Sequence, residues 1–213
     1  FGLAADVILV AARDADAFGI FEVAQDAEGF TRAAESVFDP TVRLSDYTFA
    51  GTPARRLGTA GWAAVQDALD LTVIALAGEQ AGGARRIFEI TVEYLKTRVQ
   101  FGRFIGSFQA LKHYAADLLL EVESATSAAQ YAAAQYAAGE AGGPAAAGAV
   151  ALAGFTCAEA FETTALYAIQ MHGGIAFTWE HPAHLFLRRA RSGTQLFGSS
   201  RAHRERYLVS KAA

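Results

Sequence analysis

The stretch that decides the fold runs from Trp62 to Arg98, WAAVQDALDLTVIALAGEQAGGARRIFEITVEYLKTR. Ile87, Ile90 and Tyr94 stand at i, i+3 and i+7, with Arg86, Glu89 and Glu93 offset from that face. This is the period of an amphipathic helix, because residues three and four apart share one side of a 3.6-residue turn. The spacing predicts one or two helices ending near Gly102. Ser107 then stands where an N-cap belongs, followed by Leu111, Ala115, Leu118 and Val122 on one stripe that continues through SAAQYAAAQYAAGE. GGP at 142–144 breaks the chain, and Pro144 suits a first helical position. A third helix is expected from there to His172, a fourth over about His184 to Phe197, and a tail helix after GSS. Long helices joined by short breaks pack antiparallel, which predicts a four-helix bundle over residues 61–213.

Upstream the period changes. VILVAA (7–12), GIFEVA (19–24), FTRAAE (30–35) and TVRLSDYTF (41–49) are short strand-like runs separated by RDADAF, QDAEG and FDP, which carry turn chemistry. Residues 1–60 are expected to form an antiparallel meander at most. Such a sheet covers one face only, whereas the run Val7–Val10 suits burial on both, so partner strands are expected to be missing. The fold class is α+β, a short antiparallel β segment followed by an all-α four-helix bundle. A chain that opens on Phe1 and runs at once into a strand reads as beginning inside a domain.

Composition narrows the function. With 213 residues and 53% hydrophobic content, the chain can bury a sizeable core. No uninterrupted apolar run reaches about 18 residues and no basic segment precedes an apolar one at the start, so neither insertion into a membrane nor export is expected. The single cysteine, Cys157, lies in an alanine-rich run and reads as a small packed hydrophobe in a reducing, cytoplasmic compartment. Net charge is −4, and arginines gather at RR (85–86), TRVQFGR (97–103) and RRAR (188–191). Guanidinium clusters suit phosphate or carboxylate, while the acidic balance argues against nucleic acid; a phosphorylated small molecule is the expected partner.

Two segments carry site chemistry. QMHGGIAF (170–177) ends a helical run on two glycines, where one suffices for a left-handed cap; the second suggests that something approaches the backbone closely. His172 reads first as a packed ring at a helix end. In TRVQFGRFIGSFQALKH, Arg98 and Arg103 bracket a Phe-Gly break before a new helix begins. The arginines and the free N–H groups of that helix make an anion site, with Phe101 as a stacking ring and Gln109 as an amide. The same segment also reads as an ordinary helix–loop–helix with solvated arginines.

VEYLKTRVQFGRFIGSFQALKHYAADL, AIQMHGGIAFTWEHPAHLFLRRA and LFGSSRAHRER resemble the C-terminal helical domain of acyl-CoA dehydrogenases. The likeness covers residues 61–210, and FDPTVRLSDYTFAGTPARRLG within 1–60 looks like the second half of that family's middle β-domain. The resemblance implies an FAD-dependent enzyme that introduces a Cα–Cβ double bond into an acyl-CoA and passes electrons to an electron-transferring flavoprotein. It implies a homo- or heteromeric dimer of dimers. Arg98, Phe101 and Gln109 would contact FAD of one subunit, and Gln170, Gly173 and Gly174 would reach FAD held mainly by its neighbour.

The family's reaction needs a carboxylate base. Where many members carry it, in a YEGT stretch, this chain has FGSS with Gly198 in the glutamate's place; at the other usual position, on the first helix of the domain, stands Thr72. Glu79 is the expected base. It lies seven residues after Thr72 in a segment expected to be buried, beside room left by Gly82 and Gly83. Its competing reading is an ion pair with Arg86 or a facing helix. Glu180, which by resemblance holds its loop, is a weaker rival. Alternatives to a catalytic dehydrogenase are a noncatalytic subunit of a heteromeric one and an acyl-CoA oxidase.

Overall fold

The computed structural model describes residues 2–14, 17–59, 61–138 and 143–212. Two compact units divide the chain, Phe1–Leu69 and Asp70–Ala213. In the first, β1 (Ile8–Asp14) pairs antiparallel with β2 (Ala17–Val23), whose other edge takes β5 (Arg55–Arg56). A second sheet holds β3 (Phe30–Ala34) and β4 (Ser45–Phe49). The expected meander is thus corrected to two sheets. Phe30 and Phe49 face one another in register with rings stacked at 5.2 Å, which holds β3 to β4, while Arg55 pairs with Glu22 across the β2–β5 edge at 2.5 Å. The run from Val7 to Val10 is also corrected. Ile8 is 3% exposed but Val7 and Leu9 are 61% and 58% exposed, so the strand alternates and packs one face. Two central residues of the RDADAF turn, 15 and 16, lie outside the described residues.

The helical unit is organised by α1 (Trp62–Thr97), α2 (Gln109–Ala137) and α3 (Pro144–His172), followed by α4 (Ala183–Gly193) and α5 (Ser200–Ala212). α1 is one helix of 36 residues and passes through Gly82–Gly83 unbroken. Its buried stripe is Val73, Ala77, Ala81, Ala84, Ile87, Thr91 and Leu95. Gly83 belongs to this packing, because a Cβ there would stand 2.6 Å from the ring of buried Phe161 on α3. The helix ends at Thr97, earlier than expected, because the chain turns into a two-residue hairpin, β6 (Val99–Gln100) against β7 (Arg103–Phe104). Phe101 and Gly102 take φ of +55° and +76° at its corner, the left-handed pair that a tight hairpin of matching twist requires.

Ser107 does not cap α2. It sits in a 3-10 turn, Ile105–Ser107, and its Oγ donates to the Phe104 carbonyl at 2.7 Å, leaving extended Phe108 at the N-cap. The predicted α2 stripe packs inward, with Leu118 and Val122 buried and Leu111 and Ala115 half-buried. Gly139 and Glu140, the end of the expected α2 run, and Gly142 of the expected break lie outside the described residues; α3 begins at Pro144 behind an extended Gly143. α4 stops at Gly193 rather than Phe197, where a Cβ would meet the Gln80 amide at 3.0 Å.

α3 is the central helix. Ala149, Val150, Ala153, Cys157, Ala160, Phe161, Ala165 and Ala168 are all buried. The segment Ala145–Phe177 is long and apolar enough to cross a membrane by composition, yet most of its most apolar window is buried inside the bundle. Ala125, Ala128 and Ala132 of α2 meet Ala149, Ala153 and Ala160 of α3 beside Ala77 and Ala81 of α1. Methyl-only side chains let the backbones approach closely, so these alanines serve helix packing. Cys157 donates to the Ala125 carbonyl at 3.3 Å, and burial pushes its thiol up to about 12, which keeps it inert at neutral pH.

Candidate functional site

The last turns of α3 place Leu166, Tyr167, Ile169 and Gln170 along one side, and the chain continues through Gly173 and Gly174 into a 3-10 turn ending at Phe177. These residues line a groove of about 640 Å³. The two glycines differ. Gly173 has φ +66° and ψ −145°, and its N–H bonds the Ile169 carbonyl, so it ends the helix in a conformation that L side chains avoid. Gly174 has no such backbone requirement, and a Cβ at either position would meet no heavy atom within 4 Å. Neither the turn nor the packing within this chain therefore requires glycine at 174.

Below the turn lies His172, 4% exposed. Its Nδ1 bonds the Ala168 carbonyl at 2.8 Å, so that nitrogen carries the proton, and Nε2 is buried with no hydrogen-bond partner among the described residues. The ring packs between Tyr94 of α1, centroids 4.5 Å apart, and His181, at 4.3 Å. Burial, with repulsion from His181, holds His172 below the ordinary imidazole range against the opposing pull of the Ala168 carbonyl; burial and His184 lower His181 likewise.

The second expected set lies around the hairpin. Arg98, Phe101 and Gln109 are exposed, Phe101 at 90%, and no hydrogen bond or ion pair engages the Arg98 guanidinium among the described residues. Arg103 instead covers the Phe108 ring at 3.8 Å, with Phe101 edge-on to the same ring at 6.1 Å. No hydrogen bond or ring contact joins Arg98, Phe101 or Gln109 to Gln170, Gly173 or Gly174 among the described residues. The two sets rest on a common support, the cluster of Leu95, Ile105, Leu118 and Met171.

Residues 59–209 match the model of the acyl-CoA dehydrogenase C-terminal domain. The chain belongs to the acyl-CoA dehydrogenase family. It is similar to the acyl-CoA dehydrogenase IpdE2 of Mycobacterium tuberculosis, 46% identical over 132 residues, covering 62% of this chain and 39% of that protein. Against the acyl-CoA dehydrogenase FadE27 of the same organism it is 30% identical over 200 residues, 90% of this chain and 52% of the relative. Among solved structures it resembles the ChsE4–ChsE5 complex from M. tuberculosis, with TM-score 0.90, 28% identity, and coverage of 99% of this chain and 57% of the other. The Tcur3481–Tcur3483 steroid ACAD gives TM-score 0.86 and 29% identity over 98% of this chain and 55% of the other. The chain spans about two-fifths to slightly over half the length of these relatives.

Of the two positions at which the resemblance would place a base, Gly198 has φ +119°, and a Cβ there would stand 3.1 Å from Nε2 of buried His203. Both the backbone and the histidine disfavour a side chain there. Glu79 is not buried, contrary to expectation: its side chain is 45% exposed and forms a bidentate pair with Arg189 of α4, at 2.6 and 2.9 Å. Neutral Ala77 and Ala81 and the amide of Gln80 take the inward positions of that segment and turn Glu79 outward. Gly82 is open beside it, but Gly83 is filled by Phe161, so the hollow is smaller than the two glycines suggested. Sequence reading missed Leu166, Tyr167 and Phe177 as groove residues and Arg189 as the partner of Glu79. Spacing of Leu166, Gln170 and Gly173 on one helical face carried the first signal; no local signal carried the second, since 110 residues separate the pair.

Proposed function

We propose that this chain is the C-terminal part of an FAD-dependent acyl-CoA dehydrogenase that forms a Cα–Cβ double bond in an acyl-CoA thioester and delivers the electrons to an electron-transferring flavoprotein. The observation that carries the reading is the open groove over Gln170, Gly173 and Gly174, a cradle that side chains at the two glycines would fill. The donor set fits the cofactor. Exposed Arg98 supplies a cation for a pyrophosphate, Phe101 a ring face for stacking and Gln109 an amide, while the glycine groove admits a dinucleotide edge from a neighbouring subunit. Bound FAD would supply the hydride acceptor. This chain's own residues bind, orient and enclose it. The lack of contact between the two sets within one chain agrees with their serving two cofactors across an interface.

Glu79 remains the proposed base, with its oxygens reaching substrate only when the Arg189 pair opens. Because that pair is largely exposed, Glu79→Gln should change stability by no more than about 1 kcal/mol. Turnover of the full-length protein should fall by about 10²–10⁴-fold. The test is flavin bleaching by acyl-CoA in full-length protein, set beside flavin retention after gel filtration for Arg98→Ala and Gly173→Val. Both variants keeping full flavin would remove the cofactor assignment. A second reading is favoured by Gly198, whose backbone and His203 neighbour disfavour the family's usual glutamate: a noncatalytic subunit of a heteromeric dehydrogenase. Normal bleaching by folded Glu79→Gln protein would move the base to another position or to a partner chain.

A further inference from the structure

Three rings from three parts of the helical unit pack on one another beneath the diglycine turn, tilted by 31° and 45° between neighbours: Tyr94 on α1, His172 at the end of α3, and His181 just before α4. Hydrogen bonds fix the tautomers of both histidines. Nδ1–H of His172 donates to the Ala168 carbonyl, whereas Nδ1 of His181 accepts the Ala183 amide at 3.2 Å and leaves its proton on Nε2. Each imidazole is therefore neutral and fully used on one side. A further proton on His172 has one place to go, Nε2, and that atom is buried without a hydrogen-bond partner among the described residues.

We propose that His172 and His181 are positioning residues that together form a proton-sensitive latch: packed together and neutral they hold the Gly173–Gly174 turn against the end of α1, and protonation of the pair releases it. A cation formed on one ring would lie 4.3 Å, centroid to centroid, from the other imidazole. The titratable groups facing the pair are Tyr94 from α1 and His184 from α4, the latter acting on His181; no ion pair to a carboxylate reaches either latch ring among the described residues. Their lowered affinity for protons has the corresponding sign. A histidine depressed in the folded state contributes stability above the unfolded value of about 6.5 and loses it as pH falls toward the lower folded value. That the released turn faces a flavin rests on the function proposed above; the latch itself does not.

The test is hydrogen–deuterium exchange of the peptide spanning 171–182 in the full-length protein at pH 7.5 and 5.0, corrected for intrinsic exchange chemistry. If one proton opens the turn, protection should fall by up to about tenfold per pH unit between about 6.5, the ordinary imidazole value, and the lower value of the closed turn, and level off below it. His172→Asn, which keeps a donor for the Ala168 carbonyl but cannot titrate, should abolish that dependence. Equal protection at both pH values in the wild type, or the same loss in His172→Asn, overturns the latch. Should the variant fail to fold, imidazole Cε1–H resonances of the unmodified protein decide. Midpoints for His172 and His181 below that of exposed His113 support the proposal, and equal midpoints overturn it. Flavin retention is followed separately. A turn that opens while flavin stays bound supports the latch and counts against the cofactor assignment.

Discussion

Gly82 and Gly83 are adjacent in α1 yet answer to different forces. At Gly82 a Cβ meets nothing within 4 Å, so Gly82→Ala gains helix propensity alone and should stabilise the chain by about 0.5–1 kcal/mol. At Gly83 the same methyl enters the Phe161 ring at 2.6 Å, and overpacking of about 1–3 kcal/mol outweighs that gain. Thermal melts of the two variants should shift in opposite directions; a shift in the same direction would refute the packing assigned to Gly83. Nothing in the letters GG separates the two positions, because the distinction is made by a residue 78 places along the chain that only the packed bundle brings near. The diglycine at 173–174 was more legible. Its surplus over a simple helix cap suggested a close approach; the structure assigns the cap to Gly173 and leaves open space in front of both glycines.

Between elements, the fixed points are charged pairs that tie distant helices. Asp70 on α1, 3% exposed in its side chain, takes both guanidinium nitrogens of Arg206 on α5 at 2.7 and 2.6 Å. Asp70→Asn leaves Arg206 without its carboxylate and should cost about 1.5–3 kcal/mol, read as a lower melting temperature with helix content unchanged at low temperature. His203 packs beside this pair. Burial, then the Arg206 charge, lowers its proton affinity, against an opposing pull from Asp70. With His172 and His181 depressed as well, the unfolded chain binds more protons than the folded one below about pH 6.5. Stability should be full above that pH and decline as pH falls toward 5, and a flat melting temperature across that interval would contradict the burial of these histidines. Helix types and faces were readable from the 3.6-residue period of Leu111, Leu118 and Val122. The partners of Asp70 and Glu79 were not, because a charge on a helix face carries no address for its counter-ion.

For the whole molecule, large apolar side chains are exposed at and just beyond the groove: Leu166 and Phe177, which line it, are 47% and 77% exposed, and Ile175 and Trp179 of the same turn region are 40% and 76% exposed. Exposed apolar side chains gathered in this way are what an association surface would present, and they make association a prediction. Sedimentation at micromolar concentration should show a dimer or larger species, and Phe177→Asp should weaken association at least about tenfold with the melting temperature unchanged, as a charge placed on a rim does. A well-behaved wild-type monomer would count against it. Sequence alone determined the helical bundle and its inward stripes, the strand-rich start and the family, and named two segments as candidate sites, because periodicity, glycine placement and local motifs are properties of contiguous residues. Tertiary structure decided what sequence could not: that β2 takes β5 rather than β3, that Glu79 faces outward to Arg189, that His203 crowds position 198, and that Tyr94, His172 and His181 pack together under the turn. Each of these depends on residues far apart in the chain, and which of them meet is set by the packing of the whole fold and by no local pattern.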